Sequence, residues 1–228
     1  MSNNKLNFQG VSPMKHALLT KALCSALVLS FTPTNAEIDF GADMINRYVW
    51  RGTDFGNVAS IQPAMSYSTG AIEIGAWSSW AIDGGGANEN DLYVSFGAGP
   101  VGITITDYYF PALTANDMFF SYGDGDAIHI LEASASFAIE DMPIRLMAAF
   151  NFSGDSKHSI WIESTYDLGE IDATGVSATI GAGNGAYTTN TDPKLVSAAI
   201  NLSKGGYFAS YILNPDRKST FMIFGKSF

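Results

Sequence analysis

The chain has 228 residues, with 22 acidic side chains against 12 basic ones, a formal net charge of −10 and one cysteine. Such an acid excess argues against nucleic acid or an anionic lipid surface as partner. A single thiol excludes a fold stapled by its own disulfides.

In chain order, residues 1–13 are polar and precede a good initiator, Met14, so they read as a leader extension or a misassigned start. Residues 14–36 have the form of an export signal. Lys15 and Lys21 supply the positive region, Ala22 to Phe31 a short apolar core, and Thr34-Asn35-Ala36 the small residues that a signal peptidase reads. The core falls well short of the ~20 residues that a spanning helix needs. Leu23 before Cys24 is too bulky for a lipoprotein site, so cleavage is expected near Ala36. Cleavage there removes the only cysteine and three lysines (Lys5, Lys15 and Lys21) but no acid, which makes residues 37–228 more acidic still.

Residues 37–228 form one expected domain, an all-β closed antiparallel transmembrane β-barrel, because alternating segments separated by Gly, Asn, Asp and Pro clusters run throughout. Ile38 to Arg51 reads as a first strand, with Ile38, Phe40, Ala42, Met44, Tyr48 and Trp50 facing lipid and Asp39, Gly41, Asp43, Arg47 and Arg51 facing water. Ile61–Ser68, Ile72–Trp77, Asp91–Phe96, Val101–Thr106, Leu131–Phe137 and Ile144–Phe150 alternate likewise. Ile160–Leu168, Gly175–Gly183, Leu195–Leu202, Tyr207–Leu213 and Thr220–Phe228 complete the set. The total is about twelve strands, an even number as single-chain bacterial barrels require. Short connections at 68–70, 98–100 and 138–142 read as periplasmic, and long ones at 82–90, 111–127 and 184–193 as extracellular. Small inward residues suit a barrel lumen better than the interior of a secreted β-sandwich, the competing fold. Met222, Phe224 and Phe228 share one parity of the last strand, which places Phe224 and Phe228 at the barrel closure.

Several short motifs occur together in a fixed order: Tyr48-Val-Trp-Arg-Gly52, Gln62-Pro63, Gly75-Ala-Trp-Ser78, Glu89-Asn-Asp-Leu-Tyr93, Tyr108-Tyr-Phe-Pro111 and the terminal Gly225-Lys-Ser-Phe228. In this order and spacing the chain resembles the TorF-type family of proteobacterial outer-membrane porins over most of residues 37–228. It departs from that pattern in lacking a glycine-rich continuation after Gln62 and in carrying Phe110 where a tyrosine is usual. The resemblance implies an outer-membrane barrel with a pore function and brings no solute identity.

Reactive chemistry is sparse. Barrel hydrolases that pair a histidine with a serine two residues on exploit the period of 2, which puts both on one face. His129 is followed at that spacing by Leu131, and His158 by Ile160, so no enzyme and no catalytic residue is expected from local spacing; a hydrolase would need an irregular backbone or distant partners. The loops Asp124-Gly-Asp126 and Asp83–Asp91 carry oxygen ligands of the kind calcium takes, without the spacing of a known calcium loop. They read as solvated turns, and no metal or cofactor is expected.

The pore-lining candidates are Asp39, Asp43, Glu73, Asp91, Glu132, Glu163 and Asp167, set against Arg47, Arg51 and Arg145. Arg47 and Arg51 are expected to pair with Asp39 and Asp43, either as a structural ladder or as a constriction that orients a solute. The expected function is passive passage of small hydrophilic solutes or ions with a mild cation preference. The alternative is a non-conducting structural or binding barrel that acts through its extracellular loops, its lumen closed by inward Trp77, Tyr93 and the arginine pairs. A barrel hydrolase is the remaining option. Expected partners are outer-membrane lipid, the barrel assembly machinery and small solutes or cations, with the outer membrane of a Gram-negative bacterium as location.

Overall fold

The structure is a computed structural model that describes residues 36–228 apart from 112–118, 124, 126 and 139–141. The leader, nearly all of the signal segment, and Asp124 and Asp126 of the acidic loop lie outside the described residues.

Twelve antiparallel strands close into a barrel. They are β1 (Glu37–Ile45), β4 (Ser60–Thr69), β5 (Ile72–Ala81), β6 (Glu89–Ala98), β7 (Val101–Tyr109), β8 (His129–Ala138), β9 (Ile144–Ser153), β10 (Ile160–Ile171), β11 (Thr174–Gly185), β12 (Thr191–Lys204), β13 (Tyr207–Asn214) and β14 (Ser219–Ser227). Each predicted strand has its counterpart here. Two further strands, β2 (Val49–Trp50) and β3 (Thr53–Asp54), form a separate two-stranded sheet.

Alternation decides the two faces, since successive side chains point to opposite sides. Ile38 and Phe40 on β1, Ile74 on β5, Leu92 on β6, Ile103 on β7, Ile162 on β10 and Met222 and Phe224 on β14 all stand exposed on the outer wall. Their intervening neighbours, including Asp43, Gln62, Glu73, Ser79, Asp91, Ser95, Glu132 and Thr165, are buried inside. Short turns at 70–71, 99–100, 172–173 and 205–206 gather at the end that holds Glu37 and Phe228, and the longer connections gather at the other. Gly70, Gly99 and Gly205 take positive φ in these turns, as tight hairpins demand.

The seam is asymmetric. β1 pairs with β4 along its whole length, from Glu37↔Ser68 to Ile45↔Ser60, but with β14 through only Asp43↔Ser227, Met44↔Lys226 and Ile45↔Gly225. The Asn46 side chain extends this short ladder. Its amide donates to Met222 O at 3.1 Å, and its oxygen accepts from Phe224 N at 2.8 Å, as a strand peptide would. Phe228 N donates to Ala42 O at 3.0 Å, and its ring stands outward with Phe224, so both sit at the closure. Asn46→Ala removes two bonds of about 1 kcal/mol each. The expected result is a lower temperature for the gel shift between folded and heat-unfolded protein.

The first strand ends earlier than its alternation suggests. β1 stops at Ile45, and between Asn46 and Ala59, which stay bonded to the wall, the chain turns inward into the lumen. Arg47 and Arg51 therefore do not lie beside Asp39 and Asp43. The physical reason is a two-residue turn at Arg51-Gly52, with φ of 49° and 71°, which folds Val49-Trp50 back on Thr53-Asp54 as a miniature hairpin.

Candidate functional site: a plugged lumen

The hairpin is built to sit inside a barrel. Tyr48 packs on Phe55 at 4.8 Å and on Trp77 of β5 at 5.6 Å between ring centroids, and it joins Ile45, Phe208, Ile212, Phe221 and Ile223 in one buried cluster. Trp50 lies 5.2 Å from the ring of Tyr108 and 6.0 Å from that of Tyr187. Arg47 is tied back to the hairpin's own Asp54, with Nε to Oδ1 at 3.0 Å and Nη2 to Oδ2 at 2.6 Å. This pair is only partly buried and contributes little to stability.

At the centre stands Arg51, its side chain 2% exposed. The guanidinium meets the Glu132 carboxylate of β8 through both terminal nitrogens, with Nη2 to Oε1 at 2.9 Å, and Nη1 also donates to the Tyr187 hydroxyl at 2.5 Å. The Tyr108 hydroxyl donates to Glu132 Oε1 at 3.0 Å. The guanidinium carbon sits 4.2 Å from the centre of the Trp50 ring. A planar cation held by two oxygens and stacked on an aromatic face is a geometry that lysine cannot copy. Arg51 itself adopts a left-handed backbone that a non-glycine residue occupies at a cost of about 1–3 kcal/mol, so these contacts must hold it there.

The far wall is shaped to receive this assembly. Trp161 of β10 is fully buried; a side chain at Gly181 would run into its ring, and one at Gly183 would come within 3.0 Å of Trp161 and Tyr187. Val196 and Asn214, also fully buried, meet the hairpin tip, where Asn214 Nδ2 donates to Gly52 O at 2.8 Å.

The sequence-predicted lining is brought together in part. Asp43, Glu73, Asp91, Glu132 and Glu163 are inward and buried, and Asp39 and Arg145 are inward and half-buried. Tyr93 lies along the inner wall over the adjacent strand β5, its hydroxyl donating to Glu73 Oε1 at 2.6 Å and its ring lying against Gly75. Trp161 Nε1 donates to Glu163 at 3.3 Å. Asp167 has the inward parity but is exposed near the turn end, where it accepts from Gly169 N at 2.9 Å beside a register shift. The expected Arg47 and Arg51 pairs with Asp39 and Asp43 do not form; the partners are Asp54 and Glu132. The lining candidates left out Glu89, buried on β6 two residues before Asp91, and Tyr108, although both open quoted motifs, as well as Trp161 and Tyr187. Inward parity on adjacent strands was the signal available for the first three, whereas Tyr187 lies in a connection whose path only the fold shows.

At the loop end Asp216 ties two connections together. It accepts from Thr189 N at 2.7 Å, from Thr189 Oγ1 at 2.8 Å and from Lys194 Nζ at 2.5 Å. The Lys194 ammonium, assisted by the two Thr189 donors, holds this carboxyl down at about 2. A carboxyl lowered on folding stabilises above its unfolded value and loses that contribution as pH falls through the folded value. The tie is therefore expected to persist at pH 4 and to vanish near pH 2, read as amide exchange at Thr189, and Lys194→Ala should move the loss to higher pH.

No family model matches this chain, and no curated protein matches it. Among solved structures, a chain described under "Unveiling the Mechanism Behind the in-meso Crystallization of Membrane Proteins" aligns over 83% of each chain with a TM-score of 0.40 and 10% identity.

Proposed function

We propose that the protein is an outer-membrane barrel whose lumen is closed at rest by its own 46–59 hairpin. The observation that carries this reading is Arg51, buried in the loop-end half of the lumen and held by Glu132 and Tyr187. The apolar outer wall supports the membrane part, because a continuous band of exposed aliphatic and aromatic side chains is tolerated in lipid and not in water. The export signal read from the sequence supports the location. The resting barrel is the non-conducting alternative rather than an open porin.

A specific observation keeps the porin reading as a second state. The hairpin is a single tethered segment, and the described inward charges of the wall behind it include Asp39, Asp43, Glu73, Glu89, Asp91, Glu132 and Glu163 against Arg145. With the hairpin displaced, such a lining favours small cations.

Two measurements test the proposal. The exported protein is expected in outer-membrane fractions with a heat-dependent gel shift, and its recovery as a soluble protein would refute the membrane reading. In planar bilayers the wild-type barrel is expected to be nearly silent, and steady wild-type conductance would refute resting closure.

A further inference from the structure

The apolar outer wall has a basic interruption at the short-turn end. Among the described residues, Lys204 of β12 and Lys226 of β14 are the cations at outward positions of the wall strands. Lys204 continues the phase of exposed Ile200 and Leu202, and Lys226 that of exposed Met222 and Phe224. The other described cations lie elsewhere: Arg145 faces the lumen, Lys194 stands opposite inward Gly183, and Lys157, Arg217 and Lys218 lie in connections at the loop end.

The two lysines also share a row. Lys204 pairs with Tyr207 and Tyr207 with Lys226, so the three residues follow one another across β12, β13 and β14. Two strand spacings separate the lysines, about 10 Å, and exposed Tyr207 stands between them. The row adjoins the 205–206 turn, and Tyr67 and Tyr166 stand exposed toward the same end. Such aromatic residues mark the level at which hydrocarbon gives way to headgroups. A lysine at that level keeps its methylenes in lipid and extends its ammonium into the headgroup layer.

Both ammonium groups retain free donors. Lys226 Nζ packs over the rings of Tyr207 at 5.3 Å and Phe228 at 4.7 Å, and it makes no hydrogen bond or ion pair among the described residues. Lys204 Nζ donates to the Asp172 main-chain oxygen at 2.6 Å, which uses one of its three protons.

We propose that Lys204, Tyr207 and Lys226 bind the phosphate of an anionic phospholipid in the leaflet at the short-turn end. The two ammonium groups reach the phosphate from either side, and Tyr207 supplies a hydroxyl donor between them. The acyl chains lie along exposed Tyr211, Met222 and Phe224 toward the middle of the wall. A zwitterionic lipid carries its own cation beside the phosphate, so two lysines attract it less. The chain's net charge of −10 disfavours anionic surfaces as a whole, and the attraction is local to this row.

The same lipid would brace the barrel closure. Lys226 stands opposite Met44 in the three-pair ladder between β1 and β14, and a phosphate shared with Lys204 links that last strand to β12. A ligand that binds only the folded barrel raises its stability. The inference rests on the reading of the outer wall as lipid-facing, which fractionation tests separately, and does not depend on the plug.

The test places the exported chain in phosphatidylcholine vesicles that contain a trace of photoactivatable phosphatidylglycerol or photoactivatable phosphatidylcholine, with the reactive group close to the glycerol. The wild type is expected to take the phosphatidylglycerol label on the peptides around Tyr207 and Phe224, well above the phosphatidylcholine label. Lys204→Gln and Lys226→Gln should each lower it about fivefold. The double variant should fall to the phosphatidylcholine level with its gel shift intact. Lys157→Gln combined with Lys218→Gln, the same charge change at the loop end, should leave the label unchanged. Vesicles rich in phosphatidylglycerol should raise the gel-shift temperature of the wild type and not that of the double variant. Equal labelling by the two lipids, or a double variant labelled like the wild type, overturns the site. Removal of the label by inorganic phosphate would make it a site for a free anion and overturns the lipid. An equal rise in gel-shift temperature in the double variant overturns the brace.

Discussion

Replacing Arg51 with alanine is expected to turn a silent barrel into a conducting one that prefers cations. The substitution removes both bonds to Glu132, the bond to Tyr187 and the contact with the Trp50 ring. It also leaves Glu132 buried with its charge uncompensated. Breaking one partner of such a pair costs about 3–5 kcal/mol, more than the rest of a short hairpin can offset while Arg51 also holds an unfavourable backbone. The least costly relief is departure of the hairpin, since water then reaches Glu132 and the wall strands keep their ladders. Among the described residues the opened lumen carries acids on β1, β5, β6, β8 and β10 against Arg145 of β9, with Lys194 near the loop end already paired to Asp216. Reversal potentials across a salt gradient should therefore show cations favoured. The preference should fade as salt rises, because screening acts over about 8–10 Å at physiological strength. Arg51→Ala combined with Glu132→Gln should conduct with a smaller preference. Silence of the single variant, with its gel shift intact, would show that the aromatic contacts alone keep the hairpin seated.

The wall was legible in the sequence because a period of two has only two phases. Once Ile38, Ile74, Leu92 and Met222 are placed outward, every neighbouring acid is placed inward, and the structure agrees at Asp43, Glu73, Asp91, Glu132 and Glu163. The same regularity concealed the plug. Tyr48 and Trp50 continue the phase of Phe40 and Met44, so alternation cannot distinguish a longer first strand from a strand followed by an inward hairpin. The break after Ile45 carries no mark of its own; Gly52, whose left-handed φ turns the chain back after Arg51, marks only the hairpin that follows. Ion pairs were less legible still. Arg51 and Glu132 are 81 residues apart and meet only because the hairpin enters the lumen opposite β8. Ser153 shows the other limit of parity: one register shift on β9 moves it to the face that simple counting denies it.

Gly52→Val separates the shape of the plug from its charge. Gly52 sits at φ 71°, where a β-branched residue is a steric outlier. A Cβ there would overlap the backbone carbonyl oxygen of Val196, which belongs to the β12 wall and cannot turn aside. The Asn214 Nδ2 bond to Gly52 O would be lost with any shift of the tip. The backbone alone disfavours the seated hairpin by about 1–3 kcal/mol, and the overlap adds to that. The variant should open the lumen as Arg51→Ala does, because either change frees the same hairpin. Its cation preference should be weaker, since Arg51 stays in the chain near the mouth and offsets part of the acidic lining. Gly52→Ala should fall between wild type and valine, because it shares the overlap at Cβ without the branched side chain's added backbone restriction. Protease cleavage within 46–59 should appear in both glycine variants and be absent from the wild type. A Gly52→Val barrel that is silent and protected would mean that the wall yields at Val196, and the hairpin would then be part of the barrel's fixed core rather than a removable plug.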